Sequence, residues 1–147
     1  MSIPSPHVRV SLDLARVQAN ARAIQARTGV PLYAVIKADA YGLGAAAVVR
    51  ALASLVAGFY AFSPAEARAA GTPGTGKPCI VMLHGDAAPA ALAADHLRPA
   101  VFSLADARRY AAADPFLSID VGMERYGCPP DEAVAVLRAS LVNAALA

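Results

Sequence analysis

A lysine followed four residues later by a tyrosine is the pair in this chain best suited to chemistry on a carbonyl compound. Lys37 comes directly after the apolar run of residues 32–36, and Tyr41 follows it before Gly42 and Gly44. A lysine in apolar surroundings favours its neutral amine, which is the nucleophile that forms Schiff bases with carbonyl groups. The hydroxyl of Tyr41 can bind a phosphate oxygen, and the two glycines permit close backbone approach to a ligand. The alternative, on residue types alone, is a solvated lysine beside a core tyrosine.

Strand-like and helix-like segments alternate around this pair along the whole chain. Strands are predicted at residues 8–12, 32–37, 59–62, 79–83, 98–102 and 116–120. Helices are predicted from Asp13 to Gly29, over 45–57, from Pro64 to Gly71, over 89–94, from Ser103 and from Pro130. This repeated βα pattern predicts a parallel sheet, with the run at 32–36 buried on both of its faces.

The residues at the predicted helix ends support these boundaries. Asp13 is a predicted N-cap, and Gly29 ends the same helix. Ser63 and Glu66 have the spacing of a capping box, in which the two residues satisfy each other's backbone N–H groups. Pro64 stands at the first helical position of that helix.

Chain length limits which parallel sheet can form. The chain has 147 residues, whereas a closed eight-stranded barrel typically needs about 250. The chain therefore cannot close such a barrel alone. Periodicity alone favours an open, doubly wound sheet of five strands, with a partial barrel as the second choice.

Composition excludes several classes of function. The formal net charge is +2 and the basic residues are scattered, so no nucleic-acid surface is predicted. Residues 42–62 are apolar enough to resemble a membrane span, but Arg50 at their centre favours a soluble core. Cys79 and Cys128 lack metal-ligand spacing, and no secretion signal is visible, so we expect no metal site and a cytoplasmic location.

Several motifs resemble alanine racemases in the same order and at matching spacing. They are Leu12-Asp13-Leu14, the run from Ala34 to Gly44 around Lys37, Glu66-Ala67-Arg68-Ala69-Ala70-Gly71, the strand from Pro78 to Leu83, and Asp120-Val121-Gly122-Met123-Glu124-Arg125-Tyr126-Gly127. This resemblance reverses the preference for a doubly wound sheet. It implies an α/β fold of parallel (β/α) repeats, the first part of a TIM-type (β/α)8 barrel that does not close alone. Residues 1–147 would form a partial N-terminal barrel domain that binds pyridoxal 5'-phosphate (PLP), with the family's C-terminal β domain absent.

The resemblance also implies roles for individual residues in the interconversion of L-alanine and D-alanine, which supplies D-alanine for peptidoglycan. Lys37 would be the Schiff-base lysine of the cofactor and one catalytic base. Tyr41 would hold the cofactor phosphate. Arg125 would approach the cofactor's phenolic oxygen and the substrate carboxylate, and Met123 would lie near that carboxylate.

Three departures from the family limit this expectation. Ser118 stands where many members carry a carbamylated lysine that orients the arginine, and Val121 stands where threonine is usual. The later barrel strands and the second base, a tyrosine from the partner subunit's C-terminal domain, are also absent. We therefore expect the isolated chain to be inactive, with a non-catalytic remnant or PLP-binding module as the alternative function. A homodimer and a complementing chain are both left open as partners, and Tyr126 is expected to serve in packing.

Overall fold

The computed structural model describes residues 11–144, which form a single five-stranded sheet with helices along it. The strands are β1 (Tyr33–Val35), β2 (Gly58–Ala61), β3 (Cys79–Val81), β4 (Leu97–Val101) and β5 (Phe116–Leu117). The helices are α1 (Leu14–Thr28), α2 (Lys37–Gly42), α3 (Ala45–Leu52), α4 (Pro64–Ala69), α5 (Pro89–Ala94), α6 (Leu104–Tyr110) and α7 (Ala133–Ala144), with 3₁₀ turns at Pro73–Thr75 and Ala111–Ala113. Segment α2 was not predicted, and its residues 38–41 have the φ angles of a left-handed turn. The other elements from α1 to α7 follow the predicted alternation, and most differ from the prediction only at their ends.

The strand order decides between the two sheets considered from the sequence. All pairings are parallel and run β1-β2-β3-β4-β5, so every strand neighbours the next one in the chain. A doubly wound sheet reverses its strand order at one point, and this sheet has no reversal. The preference from periodicity was therefore wrong, and the fold is the open first part of a (β/α) barrel.

The sheet is curved although it is open. Its edge strands β1 and β5 would be about 19 Å apart in a flat sheet, at roughly 4.8 Å per strand. The rings of Tyr33 on β1 and Phe116 on β5 nevertheless have centroids 6.3 Å apart. The two edges therefore approach each other across a concave inner face, as successive strands of a barrel do.

Alternate strand residues form the core beneath the helices. Phe59 pairs with Cys79, and Cys79 pairs with Leu97, and all three side chains are fully buried. Helix α4 packs on β2 and β3, and helices α5 and α6 pack on β4. The intervening residues, such as Tyr60, face the concave side. This alternation means that the concave face carries the residues available to a ligand.

Strand β1 differs from its prediction in burial. The sequence predicted a strand buried on both faces, but Tyr33 and Val35 are 37% and 45% exposed. The prediction was wrong because β1 pairs with β2 alone and its concave face is uncovered in the described residues. The predicted strand at 8–12 lies largely outside the described residues, and Ser11 and Leu12 are not in a strand.

The predicted helix starts are confirmed in part. Asp13 caps α1 by accepting hydrogen bonds from the N–H groups of Ala15 and Arg16. Ser63 Oγ accepts from Glu66 N–H at 3.2 Å, which is one half of the capping box. The Glu66 carboxylate accepts hydrogen bonds from the N–H groups of Ala38 and Phe62 instead of completing the box.

No helix among residues 11–144 has the length and hydropathy to cross a membrane.

Phe59→Ala tests the assignment of the core. We expect a loss of about 3–5 kcal/mol in the free energy of unfolding, because the ring is fully buried and its removal leaves a cavity. Phe116→Ala is the matched control, since Phe116 is 39% exposed, and should cost less than about 2 kcal/mol. Urea unfolding measures both values, and equal losses would contradict the assignment.

The uncovered edge and concave face predict self-association. Val35→Lys places a charge on exposed apolar surface of the edge strand β1 and should shift the chain toward the monomer. Val134→Lys, at an exposed position of α7, should leave association unchanged. Sedimentation velocity over a range of concentrations measures the effect. A monomeric wild-type chain with concentration-independent unfolding would contradict the expectation.

Candidate functional site

Lys37 lies at the carboxyl end of β1, where its backbone is well fixed. The preceding residue, Ile36, is 1% exposed and donates a backbone hydrogen bond to the carbonyl of Tyr60 at 2.8 Å. The apolar run is thus anchored to the sheet at Ile36, one residue before the lysine. The half-buried Lys37 side chain faces the concave side.

The chain turns in a left-handed conformation directly after Lys37. Ala38, Asp39, Ala40 and Tyr41 have φ between 50° and 57°. Each non-glycine residue in this region costs roughly 1–2 kcal/mol, so the turn stores roughly 4–8 kcal/mol. Gly42 and Gly44 continue with φ of 82° and 88°, values that glycine adopts without strain. Nothing in the sequence predicted this turn.

Hydrogen bonds hold the strained turn in place. Ala40 N–H donates to the carbonyl of Ile36 at 2.8 Å, and Asp39 Oδ1 accepts from Ala45 N–H at 2.7 Å. The carboxylate of Glu66, on helix α4, accepts from Ala38 N–H at 3.1 Å. The turn is therefore tied both to its own ends and to a neighbouring helix.

A second loop, residues 120–127, follows β5 and carries two of the predicted site residues. Asp120 Oδ1 accepts from the N–H groups of Gly122, Met123 and Glu124, each at 3.0 Å. These bonds, those from Gly122 and Glu124 first, lower the pKa of Asp120. Asp120 thus remains a carboxylate that organises the loop.

The loop closes on itself at Gly127. A backbone bond joins Asp120 N–H to the carbonyl of Cys128 at 3.0 Å, and Cys128 N–H returns to Ser118 at 2.9 Å. At Gly127, with φ of 143°, an added Cβ would clash with the backbone of Ile119 and Asp120. Only glycine fits this closure.

Lys37 and the second loop share one open cavity of about 210 Å³ on the concave side. It is lined by aromatic, apolar and charged side chains from Tyr60 of β2, from residues that follow β1, β2, β3 and β5, and from the second loop: Lys37, Tyr60, Phe62, Met82, Ser118, Ile119, Asp120, Val121, Met123, Arg125 and Tyr126. This is the edge at which the carboxyl ends of parallel strands meet, where ligands bind in such folds.

Two cationic side chains, Lys37 and Arg125, line the cavity together with the Asp120 carboxylate, whose Oδ1 is held by backbone N–H groups of its own loop. Lys37 Nζ lies 5.8 Å from the centroid of the Phe62 ring and 5.9 Å from that of Tyr41, so aromatic faces surround the amine. Burial raises the pKa of Tyr60, while the Arg125 guanidinium opposes that rise. Tyr60 therefore keeps its proton at neutral pH and is a hydrogen-bond donor. Lys37, Arg125 and Tyr60 together favour an anionic ligand with an aromatic or apolar body.

The residues predicted for the site divide into two groups. Lys37, Met123 and Arg125 all line the cavity, although Met123 lies 86 positions after Lys37 in the sequence. Tyr41 does not line it. Its side chain is 64% exposed, and its ring lies beside the Lys37 amine. Ser118, singled out as a departure from the family, also faces the cavity.

Sequence reasoning missed the aromatic and apolar wall of the cavity. Tyr60, Phe62 and Met82 belong to it, and Tyr126, expected to serve in packing, both lines the cavity and contacts the Phe102 ring at 5.8 Å. Alternation along β2 was the available signal, since Phe59 and Ala61 face the core and Tyr60 must point the other way.

Solved structures of alanine racemases share this fold. The enzyme from D-cycloserine-producing Streptomyces lavendulae superposes with a TM-score of 0.77 at 26% identity, covering 90% of this chain and 38% of that one. Alanine racemase from Streptomyces coelicolor A3(2) gives a TM-score of 0.71 at 28% identity, covering 90% of this chain and 39% of that one.

Sequence relatives agree with the structural ones. The chain is 37% identical over 142 residues to an alanine racemase of Acidiphilium cryptum and 35% identical over 140 residues to one of Deinococcus radiodurans. These alignments cover 89% and 91% of this chain but 39% of each relative. The family model for the alanine racemase N-terminal domain matches residues 12–145. The chain therefore belongs to the alanine racemase family of isomerases, which it matches over the N-terminal domain.

Proposed function

We propose that this chain is the PLP-binding part of an alanine racemase, an enzyme that interconverts L-alanine and D-alanine. The observation that carries the proposal is the meeting of the Lys37 amine and the Arg125 guanidinium in one cavity at the carboxyl edge of the sheet. The chain spans 39% of the length of the curated relatives it matches. The racemase activity of the whole enzyme is therefore proposed for it together with the cofactor site.

The side chains at the cavity fit PLP, which is an anionic aromatic aldehyde. Lys37 supplies an amine for the aldehyde, and Arg125 supplies positive charge beside it. Tyr60 and Phe62 provide aromatic surface at the same place. The Tyr41 hydroxyl, next to Lys37 and open to solvent, is suited to a phosphate oxygen. When bound, PLP delocalises the electron pair left on an amino acid's α-carbon after its proton is removed.

Each residue then has a defined task. Lys37 holds the cofactor and, once released from it, takes or returns a proton at the α-carbon from one side. Arg125 attracts the substrate carboxylate, and Met123, on the same loop, lies near that carboxylate. The neutral Tyr60 hydroxyl donates a hydrogen bond toward an anionic group in the cavity.

A PLP-binding module without turnover is the second candidate function. In the described part of the chain Arg125 makes no hydrogen bond or ion pair, and Ser118 cannot carry the carbamate that would fix it. An arginine held this loosely binds an anion but orients it poorly. Turnover would then require further groups from a second copy or from a complementing chain, in a cytoplasmic assembly.

Lysine replacement tests the cofactor site. The chain contains two lysines, Lys37 and Lys77, so each variant leaves a single lysine. Purified protein mixed with PLP should develop a visible absorbance band that Lys37→Ala abolishes and Lys77→Ala preserves. A band that survives Lys37→Ala would contradict the site, and a wild-type chain without a band would contradict PLP binding.

Tyr41→Phe tests the phosphate contact. Hydrogen bonds to charged groups contribute about 1.5–3 kcal/mol, so we expect PLP affinity to fall by about 10- to 100-fold. Pyridoxal, which lacks the phosphate, should bind the variant and the wild type equally. Tyr33→Phe removes a tyrosine hydroxyl on β1 that does not line the cavity, and it serves as the control. An equal loss for pyridoxal and PLP would assign Tyr41 to another task.

A further inference from the structure

We propose that Glu66 is a positioning residue for Lys37, holding the amine at the mouth of the cavity. The inference rests on the proposed function for its chemical meaning, but it is carried by contacts outside the cavity. Glu66 does not line the cavity that holds Lys37. It acts through two backbone N–H groups, that of the residue directly after the lysine and that of Phe62, whose ring lies near the amine.

One carboxylate fixes two backbone segments that flank the amine. Glu66 Oε1 accepts from Ala38 N–H at 3.1 Å, in the residue directly after Lys37. Glu66 Oε2 accepts from Phe62 N–H at 2.8 Å, and the Phe62 ring lies 5.8 Å from Lys37 Nζ. The lysine and the aromatic ring beside it are thus set by the same acidic group.

The strained turn gives this contact its importance. Ala38 is the first of four consecutive left-handed residues, and it makes its contact with Glu66 at the start of that conformation. The other bonds of the turn join residues within 36–45, whereas Glu66 belongs to helix α4. Loss of this tie would let the backbone after Lys37 relax toward ordinary conformations, which carry the amine away from Arg125.

Comparison with helix α6 indicates that capping alone does not explain Glu66. Asp106 occupies the same position after Ser103 as Glu66 does after Ser63, and Ser103 Oγ donates to Asp106 Oδ2 at 2.9 Å within that cap. Glu66 instead extends out of its helix to the turn. Its longer side chain spans a distance that the cap does not require.

The experiment compares Glu66→Ala, Glu66→Gln and the matched control Asp106→Ala in the full chain. Amide hydrogen exchange over residues 36–44 reports the turn without any cofactor. The rate at which the visible band of bound PLP develops reports Lys37. We expect Glu66→Ala to raise exchange in this segment and to slow the PLP reaction, each at least about tenfold.

The other two variants separate positioning from general stability. Glutamine offers one carbonyl oxygen for two N–H donors, so Glu66→Gln should show an intermediate effect on both readouts. Asp106→Ala should speed exchange at the start of α6 and leave residues 36–44 and the PLP reaction unchanged. If Glu66→Ala fails to fold, Glu66→Gln decides the question.

Two results would overturn the inference. One is an amide exchange rate over residues 36–44 that stays at the wild-type value in both folded Glu66 variants. The other is a rate of PLP reaction that is the same in these variants as in the wild type. A wild-type chain that gives no PLP band, combined with faster exchange in the variants, would refute the proposed function while supporting Glu66 as the anchor of the turn. The two failures are therefore distinguishable.

Discussion

Parallel pairing of successive strands is the constraint on which the site depends. Because β1 to β5 all run in one direction, the segments that follow them leave the sheet at the same edge. Curvature then brings the loop after β5 toward the turn after β1, as the contact between the rings of Tyr33 and Phe116 indicates. Lys37 and Arg125 meet because of this arrangement, although they are far apart in the sequence. Fully buried core residues such as Phe59 hold the arrangement from the helix side.

The sequence predicted much of this fold from strong local signals. Asp13 caps α1 as expected, Pro89–Ala94 is helical over the predicted residues, and the parallel sheet follows from the βα alternation. The structure brings Lys37, Met123 and Arg125, the motif residues that the family resemblance singled out, to one cavity because each follows a parallel strand. Signals of this kind depend on residue type and spacing within one segment, so a single sequence is enough to detect them.

What the sequence did not predict depends on distant contacts. The left-handed turn at residues 38–41 contains alanine, aspartate and tyrosine, whose local preferences oppose it, and it persists through bonds such as that from Glu66. The carboxylate of Glu66 was assigned to a cap because its partner, Ala38, is 28 residues away. Likewise the exposure of Tyr33 and Val35 depends on whether another strand covers β1, which the apolar run itself does not determine.

The central claim is that Lys37, as this fold presents it, is the attachment point for PLP. The most direct test is to incubate the wild-type chain with equimolar PLP, reduce it with borohydride, digest it and identify the modified peptide by mass spectrometry. With two lysines in the chain, Lys77 is an internal control exposed to the same reagent. The account predicts that one reduced PLP group is added at Lys37 while Lys77 stays unmodified. Equal modification of both lysines, or modification of Lys77 alone, would contradict it.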